Sequence, residues 1–162
     1  MKTRPHQPVT LLPSEKALQV WGAMVILLTG GIIYLLSRPT TLILFRVPHL
    51  LGWSNTIERL RESMSISLPE WVVFNLPDAL WAGAYIMTID SVTQKSSTQV
   101  RLVSASIVPT IGVVSEFLQA FSLLPGTFDP LDLLSYATPY IIYILITLRR
   151  VQSMTAINKN IA

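Results

Sequence analysis

The chain has 162 residues, of which 51% are hydrophobic and 13% charged, with a formal net charge of +3 and a mean hydropathy of +0.51. A soluble domain usually carries about 25% charged residues, so a water-soluble globule is excluded and an integral-membrane protein is implied. The twelve basic residues are scattered over termini and loops rather than gathered on one stripe, which argues against nucleic acid as a partner, and the absence of cysteine removes disulfides, thiol catalysis and thiolate metal ligation.

A spanning helix needs about 20 mainly apolar residues at 1.5 Å per residue. Four segments reach that size: Ala17 to Leu36, Glu70 to Ile89, Leu102 to Leu124 and Leu131 to Leu148. The expectation is an all-α, four-helix transmembrane bundle that uses the whole chain as one domain. Met1 to Lys16 followed by an apolar run resembles a signal peptide, but that run is too long for an h-region and has no small-x-small cleavage site, so it reads as a retained first helix.

In chain order, the first span ends at Ser37-Arg38-Pro39, where an arginine and a proline mark the exit. Gly22, Gly30 and Gly31 on this span allow a neighbouring helix to approach closely. The stretch "TLILFRVPHLLGW" (residues 41–53) is too short to span and is interrupted by Arg46, Pro48 and His49, so it reads as an interfacial segment with Trp53 near the headgroups. "SNTIERLRE" (residues 54–62) follows as a short amphipathic helix, with Ser54 or Asn55 as cap and Glu58 facing Arg61 at i, i+3. The second span, if it starts at Glu70, buries Pro77 and Asp78 about two turns in, and a proline there is tolerable in a membrane helix. "SVTQKSST" (residues 91–98) is a short polar turn.

Orientation follows from the basic residues. With the N-terminus inside, Lys2, Arg4, Lys16, Lys95, Arg101, Arg149, Arg150 and Lys159 lie inside, against Arg38, Arg46, Arg59 and Arg61 outside. This bias puts both termini in the cytoplasm. It also puts the acidic stretch "EFLQAFSLLPGTFDPLD" (residues 116–132) on the outer face.

Chemistry concentrates there. At helical spacing the third span turns Ala105, Pro109, Gly112, Glu116 and Gln119 to one side, and the fourth turns Asp132, Tyr136, Pro139, Tyr140 and Tyr143. Asp78 on span two and Glu116 on span three each fall about 12 Å below the outer boundary, eight residues in at 1.5 Å each. Two carboxylates at one level invite coupling, by a shared proton, by a cation such as Arg38, Arg46 or His49, or by a metal ion. The plainer alternatives are interhelical hydrogen bonding by Glu116 and Gln119, an N-cap role for Asp78 if the second span begins at Pro77, and capping of span four by Asp129 or Asp132.

The Glu-x-x-Gln of span three, Glu116 and Gln119, followed by a Pro-Gly turn, "TFDPLD" (residues 127–132) and an apolar helix, resembles the VanZ-like family of small bacterial membrane proteins. The resemblance covers roughly Leu76 to Leu148. It departs from the family pattern in lacking a basic residue after the Pro-Gly, in Tyr136 where asparagine is common and in Asp78 where histidine is frequent. It implies an outward-facing site in proteins linked to reduced susceptibility to lipoglycopeptide antibiotics, and no established reaction.

Taken together, these features predict an outer acidic pocket of Asp78, Glu116, Gln119, Asp129 and Asp132, without a resident metal, that binds an envelope component such as a lipid-linked precursor or a cationic amphiphile. Two other readings stay open. One is an intramembrane enzyme using coupled carboxylates on a lipid-linked phosphate or ester; the other is an accessory subunit docked on a partner membrane protein. Membrane lipids are partners under all three, and no residue pattern specifies a cofactor.

Overall fold

The computed structural model describes residues 13–161 apart from 41, 43–44 and 64–67. Lys2 and Arg4 of the charge count, and three residues of the interfacial stretch, therefore lie outside the described residues. All regular structure among those described is helical: α1 (Pro13–Ser37), α2 (Arg46–Leu50), α3 (Ser54–Ser63), α4 (Glu70–Phe74), α5 (Leu76–Val92), α6 (Thr98–Ala120) and α7 (Pro130–Ile161). Among the described residues, three segments are long and apolar enough to cross a membrane: Glu15–Ser37, Thr98–Ala120 and Pro130–Ser153.

The second predicted span is not one helix. It is divided at Asn75 into the five-residue α4 and the 17-residue α5. Pro77 has no N–H to return to the carbonyl of Val73, and its ring crowds the preceding turn, so the helix restarts around Asn75, whose own N–H still bonds Trp71 O at 3.0 Å. Alone, α5 is about 26 Å long. It is nevertheless the central helix, set against α1, α6 and α7, and its buried face is made of small side chains such as Ala82 and Ala84.

Pairs of side chains fix how the helices are arranged. Along α1 and α5, Gln19 meets Met87 and Asp90, the ring of Tyr34 lies 5.3 Å from that of Trp81, and Arg38 meets Phe74, so these helices are antiparallel. Gly30 makes the approach possible, since a Cβ there would sit 2.8 Å from Trp81 Nε1. Between α5 and α6, Asp90 pairs with Arg101 and Tyr85 with Ser104, again antiparallel. Asn75 bonds Asp132 while Asp90 accepts from Tyr143, so α5 and α7 run parallel. Successive long helices thus alternate in direction, with polar groups concentrated at two levels near the ends of α5.

The α6–α7 connection begins earlier than expected, because α6 stops at Ala120 rather than at Leu124. Leu123 N bonds Leu118 O at 2.8 Å and Ser122 N bonds Gln119 O at 2.9 Å, the two-bond Schellman closure. Ser122 takes the left-handed position, φ 56°, that glycine usually fills.

The segment after α1 is also anchored differently from the expectation. α3 forms, but Ile57 N bonds Trp53 O at 3.0 Å, so the helix opens from Trp53 rather than from a Ser54 or Asn55 cap. Arg61 does not serve a pair with Glu58. Its guanidinium donates to Leu36 O at 3.0 Å and to Arg38 O, supplying donors and positive charge to the C-terminal carbonyls of α1.

Candidate functional site

The acidic residues singled out in the sequence sit at the end of the helix assembly where α1 finishes and α5 starts. Asp129 immediately precedes Pro130, the first residue of α7, and its Oδ1 accepts from Leu131 N at 2.8 Å. It is the cap of α7, with proline in the favoured first position. Its own backbone N–H donates to Glu116 Oε2 at 3.2 Å, so the turn residue and the third long helix are joined directly. Asp132, one turn into α7, does not cap: its Oδ1 accepts from Asn75 Nδ2 at 2.7 Å, and the same amide lies 3.5 Å from Asp129 Oδ2. Asn75 is 6% exposed and stands at the α4–α5 break, so the break is what brings an amide to two carboxylates.

Asp78 is the third residue of α5 and not its cap. It lies within electrostatic reach of Tyr136, Asp132, Arg38 and Glu116. Gly112 allows this, because the Tyr136 ring lies directly on it and leaves no room for a Cβ. Glu116 is buried at 4% exposure, one turn from the end of α6 and so nearer that boundary than the expected 12 Å. Four carboxylates from α5, α6, the α6–α7 turn and α7 thus converge.

Gln119 takes a different position from the one expected. It lies under the turn, where a Cβ on Gly126 would come within 2.8 Å of its amide carbon and oxygen, and Gly126 has φ 133°. The Glu-x-x-Gln and the Pro-Gly are therefore one interlocked unit: Gln119 packs against Gly126 in the turn, and the turn hands Asp129 to Glu116.

Of the three cations considered, Arg38 is the one at this end, while Arg46 and His49 are exposed on α2. Its guanidinium carbon lies 4.6 Å from the centre of the Phe74 ring and 5.6 Å from that of Tyr34, with Nη2 donating to Phe74 O at 3.1 Å. Its Nε is buried without a partner. Among the described residues, no ion pair joins Arg38 to any of the four carboxylates, and no group of three acidic or histidine side chains is arranged to hold a metal ion.

A second polar cluster, missed in the sequence, occupies the other end of α5. Asp90 accepts from Arg101 Nη2 at 2.6 Å and Nε at 3.0 Å, from Tyr143 Oη at 2.6 Å and from Gln19 Nε2 at 3.2 Å. Gln94, fully buried, donates to Gln19 Oε1 at 3.3 Å. Asp90 lies one residue past the expected span, and Arg101 reads as a topological charge. The available signal was an acid and a base flanking a short turn between antiparallel helices, a spacing that brings the two side by side.

No protein-family model, curated protein or solved structure matches this chain.

Proposed function

We propose that the chain is a four-span membrane protein of the bacterial cytoplasmic membrane, with both ends inside, whose outer end binds a cationic group presented by an envelope component or an amphiphile. The alternating helix directions support four crossings. From Gln19 to Arg38, α1 covers about 28 Å at 1.5 Å per residue, and over that distance it is flanked by α5 and α4 from Asp90 back to Phe74. A three-span chain would leave this flanking segment in the same layer without crossing it, exposing the α4–α5 break to lipid.

The observation that carries the binding reading is the lack of compensation among four convergent carboxylates. Asn75 and the Asp129 backbone N–H supply hydrogen bonds, and one guanidinium stands near, but no charge is neutralised by contact. Clustered negative charge in a low-dielectric setting favours a cation that can approach it. The VanZ-like reading rests on the Glu116, Gln119 and Pro-Gly unit, and an outward acidic site suits it.

Arg38 favours one second reading, an enzyme acting on a lipid-linked phosphate, in which Arg38 takes the phosphate and Asp78 or Glu116 acts as acid or base. Binding of tetraphenylphosphonium to purified protein in nanodiscs separates the two. Wild type should bind it, while Glu116→Gln and Asp78→Asn should remain monodisperse and lose binding. Unchanged binding in both variants refutes the cationic site, and release of inorganic phosphate from undecaprenyl diphosphate by wild type but not by Asp78→Asn favours the enzyme.

A further inference from the structure

Away from the acidic end, α2 and α3 form an elbow that encloses a cavity of about 230 Å³ lined by Thr40, Phe45, Pro48, His49, Ser54, Ile57 and Glu58. We infer that this elbow cavity holds the phosphoethanolamine headgroup of a membrane lipid, with Glu58 facing the ammonium and His49, Ser54 and Thr40 facing the phosphate. The inference rests on the membrane location and not on the acidic site.

The cavity is built into an ordered elbow. Phe45 is buried and lies against the Tyr34 ring at 6.1 Å, and the Arg61 guanidinium stands 5.6 Å from its centre. Pro48 is buried, and its carbonyl accepts from Trp53 N at 2.8 Å, which ties α2 to the start of α3. Arg61 fastens the far end of α3 to the end of α1.

The depth of the cavity follows from its surroundings. Leu50, Leu51 and Trp53 project from the bend with 84%, 53% and 59% exposure. Such a tip is stable in the acyl boundary layer, with an indole at the headgroup level. Arg59 and Glu62 on α3 are exposed and hold the other side in water. The cavity between the two therefore sits among headgroups.

Its chemistry selects the headgroup. Among the described residues, Phe45, Pro48 and Ile57 give the cavity its apolar lining, and the polar lining carries one carboxylate, one imidazole and two hydroxyls. A carboxylate beside an imidazole and hydroxyls that can donate suits a zwitterion with a primary ammonium and an adjacent phosphate. At 230 Å³ the volume lies below the roughly 300–1,000 Å³ of pockets that enclose drug-sized ligands, and it fits a headgroup whose tails remain in the bilayer.

The test is lipid retention by the full chain, read by native mass spectrometry after reconstitution in equimolar phosphatidylethanolamine and phosphatidylglycerol. Wild type should retain phosphatidylethanolamine about fivefold over phosphatidylglycerol, the ratio that about 1 kcal/mol from one partly exposed ion pair produces. Glu58→Gln should abolish the preference, and His49→Ala should reduce retention of both lipids. Glu62→Gln, which removes an equal charge from the same helix outside the cavity, should keep the preference. Equal retention of the two lipids by wild type, or the same loss in Glu62→Gln as in Glu58→Gln, overturns the inference.

Discussion

Replacing Arg101 by methionine removes the cation from beside Asp90 while keeping most of the side-chain volume. The two side chains are 15% and 6% exposed, so the carboxylate left behind is shielded from water and retains only Tyr143 and Gln19 as side-chain donors. Breaking a buried pair by removing one partner costs about 3–5 kcal/mol, and the two surviving donors place Arg101→Met near the lower end. Asp90→Asn should cost less, about 1–2 kcal/mol, because the amide still accepts hydrogen bonds. The guanidinium it leaves is in the first turn of α6, from which a long side chain can reach the aqueous boundary. Combining the two removes the stranded charge, so the double variant should be less destabilised than the sum of the singles by about 1–2 kcal/mol. Equilibrium unfolding in mixed micelles with increasing SDS, followed by tryptophan fluorescence, measures all four proteins. Additivity within about 0.5 kcal/mol, or a larger loss for Asp90→Asn than for Arg101→Met, would refute the assignment of this cluster as a buried ion pair.

The same assay tests the seat of Tyr136. Gly112→Ala forces the ring off α6 and should cost about 1–3 kcal/mol as overpacking, and Tyr136→Leu in that background should recover part of it; a neutral Gly112→Ala would show that the contact is not close. Ser122→Gly should stabilise by about 0.5–1 kcal/mol, since a residue with a Cβ now occupies the left-handed position of the α6 closure, and a loss of stability would place the Ser122 side chain in a role its backbone does not reveal. In intact cells, Thr127→Cys should react with an impermeant thiol reagent and Ser97→Cys should not; the reverse pattern would turn the acidic end to the cytoplasm.

Composition and apolar run length alone determined that this chain is helical and suited to a membrane, because about 20 apolar residues in a row have few other stable settings. The stripe of Gly112, Glu116 and Gln119 and the clustering of Asp129 and Asp132 were legible for a related reason: helical spacing is local, and a short turn returns the next helix to the same end. What the sequence could not decide was which polar atom meets which. Pro77 was visible, but the break at Asn75 that aims an amide at Asp132 depends on how α5 seats among α1, α6 and α7. Arg61 looked like half of a surface pair and became the donor for the end of α1, because the part-buried carbonyls of Leu36 and Arg38 at the helix end needed one more than Glu58 did. Asp90 and Arg101 fell at the edges of their apolar segments, where a charge reads as an address. Their pairing with Tyr143 and Gln19 exists only once four helices have come together, because a buried charge takes its donors from whichever neighbours the tertiary structure brings within about 3 Å.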